Sequence, residues 1–177
     1  LQLAKEHHLF VVEDACQSMG SEYTFSDGKT VKSGCMGDIG CTSFFPSKNL
    51  GCYGDGGAIF TNNDELAAKM SAIANHGMVV RYHHDMIGIN SRLDSIQAAV
   101  LDAKLPHLND YITARQKAAA FYNQAFAGCE KIITPATDRN TTHAYHQYTI
   151  KLVNVDREKM RQALADKGIP AMIYYPV

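Results

Sequence analysis

Residues 40–61 read GCTSFFPSKNLGCYGDGGAIFT, and this stretch decides the fold class. Gly40–Phe45 is a short apolar run closed by Pro46, the pattern of a buried strand that stops where proline removes a backbone donor. Gly57–Thr61 returns to a strand pattern. Between the two, four glycines crowd into residues 51–57, so a tight loop joins them. Lys48 stands on the turn directly after the first strand, behind two aromatic residues and a proline. A surface lysine needs none of this setting. A lysine that forms a Schiff base benefits from it, because a positioned, desolvated amine is easier to keep neutral and nucleophilic. Neighbouring glycines also let backbone come close to a flat ring and its phosphate.

Upstream, Leu1–His8 has a helical pattern, and Leu9–Asp14 (LFVVED) is an apolar run ending in two acids, which predicts a buried strand. Residues 20–37, rich in glycine and polar side chains, predict loop or a short hairpin. Downstream, Asn62 or Asn63 caps a helix running to about Asn75, with Asp64 and Glu65 in its first turn, where the helix dipole favours acids. After a loop from Arg81 to Asn90, residues 92–105 place Leu93, Ile96, Ala99, Val100 and Ala103 on one helical stripe. Pro106 breaks or kinks that helix, and residues 109–127 resume it. A strand over Ala144–Val153, a helix capped by Asp156 and ended by Gly168, and a strand over Ala171–Tyr175 complete the chain. The fold class is therefore α/β, with residues 1–105 forming part of a large domain and 106–177 a long linking helix and a small α/β domain.

Composition narrows the function. The chain has 177 residues, 46% hydrophobic and 20% charged, with a net charge of −1. That is the makeup of a globular protein with a core, with no basic surplus for nucleic acid or an acidic membrane. No apolar stretch approaches the roughly 20 residues of a membrane span, and the opening residues lack the pattern of a secretory signal. The opening in mid-helix without methionine reads as a cut or incomplete chain. The five cysteines include no Cys-x-x-Cys pair, so reduced, mostly buried thiols in a cytoplasmic protein are expected. His7-His8, His83-His84-Asp85 and His143 with His146 do not make a metal site: adjacent histidines of an extended segment face opposite sides, and no carboxylate or cysteine sits at helical metal-ligand spacing from His143 and His146.

EDACQSMG at 13–20, GDIGCTSFFPSKNLGCYGDGGAIFTN at 37–62, NHG at 75–77, RYHHDMIGINSRLDSIQAAVL at 81–101 and IYYPV at 173–177 resemble the DegT/DnrJ/EryC1/StrS family. The resemblance implies a type I aminotransferase fold, pyridoxal 5'-phosphate as cofactor, and transfer of an amino group from glutamate to a nucleotide-linked keto sugar. It covers only part of a family chain. Residue by residue, Lys48 matches the lysine that carries the cofactor and moves the proton. Asp14 matches the carboxylate that pairs with the pyridinium nitrogen and keeps the ring an electron sink. Gln17 matches a side chain against the ring near its phenolic oxygen, and Ser43 a phosphate-binding hydroxyl. Asn90 matches an asparagine that reaches the cofactor of a partner subunit, so a homodimer with shared active sites is implied. Arg92 and Tyr175 match residues near the sugar. Tyr174 stands where the family commonly has histidine, keeping a polar tip without a ring that titrates near neutrality.

The segment 41–62 is most similar to enzymes that aminate C3 of a UDP-linked 2-acetamido-2-deoxy-3-keto-hexuronic acid in bacterial O-antigen (lipopolysaccharide) biosynthesis; enzymes acting at C4 of 6-deoxy keto sugars are the near alternative. Arg92 could meet a uronate carboxylate by its fork geometry, or could form a structural ion pair at a helix start. Asp14 alone could be a cap, Ser43 a strand serine bonded to backbone and Asn90 a turn residue. Two other functions stay open: a sugar dehydratase of the same fold, against which Lys48 argues because those relatives lack the lysine, and a catalytically inert fragment.

Overall fold

The glycine-rich stretch folds as an antiparallel pair inside a three-stranded sheet, in a computed structural model that describes residues 1–175. The first elements are a short helix α1 (Gln2–Glu6), a strand β1 (Val12–Asp14), a hairpin of β2 (Glu22–Thr24) and β3 (Thr30–Lys32), then β4 (Ile39–Ser43) and β5 (Gly57–Phe60). β4 is central. It runs parallel to β1, with Val12 opposite Ile39 and Asp14 opposite Cys41, and antiparallel to β5, with Gly40 opposite Phe60 and Ser43 opposite Gly57. Burial alternates along β4, Gly40 and Thr42 facing in, as the two-residue period of a strand requires. A side chain at Gly40 would run into the backbone of Gly34, so glycine lets the 33–37 loop lie directly on the strand.

That loop is held by Glu13. Its carboxylate accepts from the backbone N–H groups of Gly34 (2.9 Å), Met36 (2.5 Å) and Gly37 (2.6 Å). Alternation along β1 then turns Asp14 to the other side.

Beyond the sheet lie α2 (Asp64–Ala74), the short strands β6 (Met78–Val80) and β7 (His83–His84), α3 (Ser95–Lys104) and α4 (Leu108–Ala125). They are followed by β8 (Ile132–Ile133), β9 (Lys151–Leu152) and α5 (Arg157–Asp166). The expected caps are in place: Asn63 accepts from Leu66 N–H (3.0 Å) and Asp156 from Lys159 N–H (3.0 Å). Pro106 sits in a single tight turn, Leu105–His107, that joins α3 to α4. The core gathers Phe44, Leu50 and Cys52 from around the lysine turn with Leu101 of α3, Leu108 and Ile112 of α4, and Ala144. It therefore lies directly behind Lys48. Among the described residues no helix is long and apolar enough to cross a membrane.

Four expectations are corrected. The apolar run 9–14 is not a buried strand: only Val12–Asp14 pairs, and Leu9, Phe10 and Val12 are 61%, 85% and 63% exposed, because β1 has β4 as its one partner among the described residues. Ile96 is 75% exposed; α3 packs through its C-terminal half, Val100 and Leu101, so the stripe runs past the core. The strands expected over 144–153 and 171–175 reduce to Lys151–Leu152 and to no strand among the described residues. Over 144–146 the carbonyls of Tyr145 and His146 are taken by the Arg115 side chain, and Tyr145 has a φ of 43°, so no ladder can form there. Finally, the five cysteines are free as expected, but Cys52 alone is buried; Cys35 and Cys129 are exposed.

Candidate active site

The end of β1 and the turn after β4 come out side by side because the two strands are parallel neighbours. Asp14, the last residue of β1, accepts from the backbone N–H of Cys16 (3.1 Å). The Cys16 thiol and N–H hold the Asp14 carboxyl below its ordinary value; slight burial opposes this and the nearby Lys48 ammonium adds to it. The same contact with Asp14 pushes the Cys16 thiol up. Asp14 is exposed in this chain, so the influence of Lys48 on it is solvent-screened, and the two side chains make no ion pair among the described residues.

Lys48 is half-buried on its turn, whose shape is set by Lys48 N–H donating to Phe45 C=O (2.9 Å). A side chain at Gly51 would meet the carbonyls of Pro46 (2.5 Å) and Phe45 (2.8 Å), so glycine there lets the chain fold back over the turn. The charge of Lys48 acts on Asp14, Cys16 and His146, which brings these four groups into one neighbourhood. Ser43 Oγ accepts from Phe45 N–H (3.2 Å), leaving its own O–H to donate elsewhere.

Asp14 and Gln17 line a cavity of about 350 Å³ with Pro135, His143, His146 and Thr149. His146 was not singled out from the sequence as a site residue, since nothing local to it signals a role; its surroundings do. Burial, then the charges of Lys48 and Arg115, push its imidazole below the ordinary value, and its Nδ1 is buried without a hydrogen-bond partner among the described residues. Burial lowers His143 as well.

Asn90 and Arg92 lie elsewhere. They line a larger cavity of about 1150 Å³, walled by Gly34, Cys41, Thr42 and Phe60, which includes neither Asp14 nor Lys48. Arg92 Nε donates to Asn90 Oδ1 (3.0 Å); both residues are exposed, and Arg92 makes no ion pair among the described residues. Tyr174 and Tyr175 are exposed, packed edge-on against each other (5.2 Å), and line neither cavity. Pro176, beside them in the motif, lies outside the described residues. Of the candidate residues, then, Asp14 and Gln17 share the smaller cavity, and Lys48 and Ser43 stand at the adjoining end of β4 without lining either cavity; Asn90, Arg92, Tyr174 and Tyr175 do not join this cluster. Among the described residues no group of three or more His, Cys, Asp or Glu side chains could hold a metal ion.

The cluster offers a carboxylate, an amine, an amide and a free hydroxyl donor, with an unpartnered imidazole nitrogen alongside. This set fits a flat, phosphorylated heteroaromatic aldehyde: one charge for a ring nitrogen, one nucleophile for the carbonyl, and one donor for an anion.

Known proteins agree with that chemistry. The chain matches the DegT/DnrJ/EryC1/StrS aminotransferase family over residues 1–177. It is 45% identical over 175 residues to the UDP-2-acetamido-2-deoxy-3-oxo-D-glucuronate aminotransferase of Pseudomonas aeruginosa, covering 99% of this chain and 46% of that protein. Its fold superposes on a DegT DnrJ EryC1 StrS aminotransferase from Brucella abortus with a TM-score of 0.88 at 42% identity, over 98% of this chain and 44% of that one. Against S. venezuelae DesV, solved in complex with a ketimine intermediate, the TM-score is 0.90 at 39% identity, over 99% and 46% of the two chains. The chain thus spans about half the length of the relatives it matches. Aminotransferases of this family depend on pyridoxal phosphate. With that model matching from end to end, this chain belongs to the DegT/DnrJ/EryC1/StrS aminotransferase family.

Proposed function

We propose that the protein is a pyridoxal-phosphate-dependent aminotransferase that moves an amino group from glutamate to a nucleotide-linked keto sugar. Within that class we propose C3 of a UDP-linked 2-acetamido-2-deoxy-3-keto-hexuronic acid as the acceptor, on the 45% identity to a protein named for acting on that sugar. A role in bacterial surface polysaccharide synthesis, O-antigen included, follows from that substrate. The observation that carries the reading is geometric: Asp14 ends β1, and Lys48 stands on the turn just after its parallel neighbour β4. Five free cysteines suit a reducing, cytoplasmic location.

The cofactor would supply an aldehyde for the incoming amine and a protonated ring that takes up the electrons released when a C–H bond breaks. Lys48 Nζ would attach it and, once released, carry the proton between the cofactor's carbon and the substrate's. Asp14, already biased toward its ionised form by Cys16 and Lys48, would hold the proton on the ring nitrogen. Gln17 would orient the ring from the Asp14 side, and the Ser43 hydroxyl would donate to the phosphate. Arg92, Tyr174 and Tyr175 would contact the sugar. Asn90 stands in a different cavity from Asp14, which suits a role toward the site of a partner subunit in a homodimer. We further propose that residues 1–105 form part of the cofactor-binding large domain, and 106–177 the linking helix and small domain.

The experiment is cofactor capture. Purified full-length protein given pyridoxal phosphate should develop visible absorbance, lose it on adding glutamate, and after borohydride reduction carry the adduct on the Lys48 peptide. Lys48→Ala should abolish capture and turnover. Retained activity in that variant would remove the assignment. Ammonia released from a sugar without glutamate would mark a dehydratase, and a protein that stays colourless an inert one.

A further inference from the structure

Lys48 is followed by Asn49, which is 6% exposed. Its Nδ2–H donates to the carbonyl of Ala144 (2.9 Å), and the bond is itself buried. Its Oδ1 is buried with no hydrogen-bond partner among the described residues. A buried amide with one end bonded and the other orphaned adds little net stability, because the desolvated oxygen offsets the bond that is made. Leucine, of similar size, would remove the orphaned oxygen and leave the Ala144 carbonyl unpaired in its place, so either residue leaves one buried polar atom unsatisfied. Stability therefore does not account for an asparagine here.

The far end of the bond is braced from several sides. Ala144 N–H donates to Ser21 Oγ (3.1 Å). Arg115 Nη1, on α4, donates to the carbonyls of Tyr145 (3.2 Å) and His146 (3.1 Å), and Gln116 Nε2 to that of His143 (3.1 Å). At the near end, the turn is closed by Lys48 N–H on Phe45 C=O (2.9 Å) and by the Lys104 ammonium on Gly51 C=O. The Asn49–Ala144 bond is the crosspiece between the lysine turn and a segment that cannot easily move. That segment also carries His143 and His146 into the cavity of Asp14 and Gln17.

We propose that Asn49 is a positioning residue for Lys48: by bonding Ala144 it fixes the lysine turn relative to segment 143–146, which lines the Asp14–Gln17 cavity. This rests on the reading of Lys48 as the cofactor lysine. The role does not require Asn49 to touch cofactor or substrate. It acts through the backbone of its neighbour, where a small displacement of the amine is enough to slow a bond-forming step.

The test uses the full-length apo protein and pyridoxal phosphate. Borohydride quenching and peptide mass spectrometry read the rate at which Lys48 is modified, and thermal unfolding of the apo form reads stability. Absence of a Lys48 adduct in the wild type overturns the cofactor assignment itself, and this proposal with it. Where the wild type does capture, Asn49→Leu is expected to slow capture about tenfold, as a sub-ångström misplacement would. Its unfolding midpoint should stay within about 3 °C of wild type, a shift that corresponds to little change in stability. Asn49→Ser, too short to reach the Ala144 carbonyl, is expected to show the same slowing and decides the matter if the leucine variant does not fold. Wild-type capture rates in either folded variant would overturn the proposal. So would slowing that only tracks a fall in the midpoint, which is the signature of a merely structural asparagine.

Discussion

Removing the carboxylate of Glu13 should loosen one side of the sheet on which the site is built. The side chain is the common acceptor for three backbone N–H groups, those of Gly34, Met36 and Gly37, at 2.9, 2.5 and 2.6 Å. A hydrogen bond to a charged group contributes about 1.5–3 kcal/mol net when well shielded. Glu13 is half-buried, and water can re-solvate part of what is exposed in the variant. We therefore take about 1 kcal/mol per bond, or about 3 kcal/mol for Glu13→Ala. For a chain of this size that lowers the unfolding midpoint by about 6–12 °C. Glu13→Gln should lose about half as much, since one amide oxygen can still serve two of the donors while its NH₂ faces the third. Calorimetry or circular dichroism reads the midpoint, and hydrogen exchange reads the site. The amides of Gly34, Met36 and Gly37 should exchange about 10–100 times faster in Glu13→Ala, with those of α5 unchanged. A midpoint within about 2 °C of wild type, or unchanged exchange at those three amides, would show that Glu13 does not hold the loop.

Stability should fall below neutral pH through His146. Its folded value is depressed by burial, Lys48 and Arg115, so the unfolded chain takes up the proton first as pH drops through about 6.5. The contribution of the neutral ring is complete above that point and is lost as pH falls toward the depressed folded value. His146→Phe should flatten the difference in urea midpoint between about pH 7.5 and 5.5; equal slopes in both proteins would contradict this. Arg115→Met strips the donor from the Tyr145 and His146 carbonyls and should destabilise by about 1–3 kcal/mol in chemical denaturation. If Asn90 serves a partner's site, mixing full-length Asn90→Ala and Lys48→Ala proteins should restore some activity in hybrid dimers, and no recovery in any mixture would refute sharing.

Much of the architecture was legible because its causes are local. A proline and a cluster of glycines bracket β4 and β5, Asn63 and Asp156 cap their helices through bonds spanning three residues, and Gly168, with a φ of 71°, ends α5. The family resemblance is carried by contiguous motifs, and these alone single out Lys48 and Asp14. Strand and helix lengths over 144–153 and 92–105 were less legible, because alternation and stripe patterns do not state which face meets a partner.

Local sequence thus sets the class of protein: an α/β chain of the aminotransferase family, with a lysine on the turn after β4 and an acid at the end of β1. Packing selects the groups around them. Glu13 grips a loop more than twenty positions on, Arg115 takes carbonyls that alternation assigns to a strand, and Asn49 bonds Ala144. His146 lines the same cavity as Asp14. The difference is one of range: propensity, capping and turn chemistry act across a few residues of chain, whereas a desolvated carbonyl takes whichever donor the packed fold brings to it.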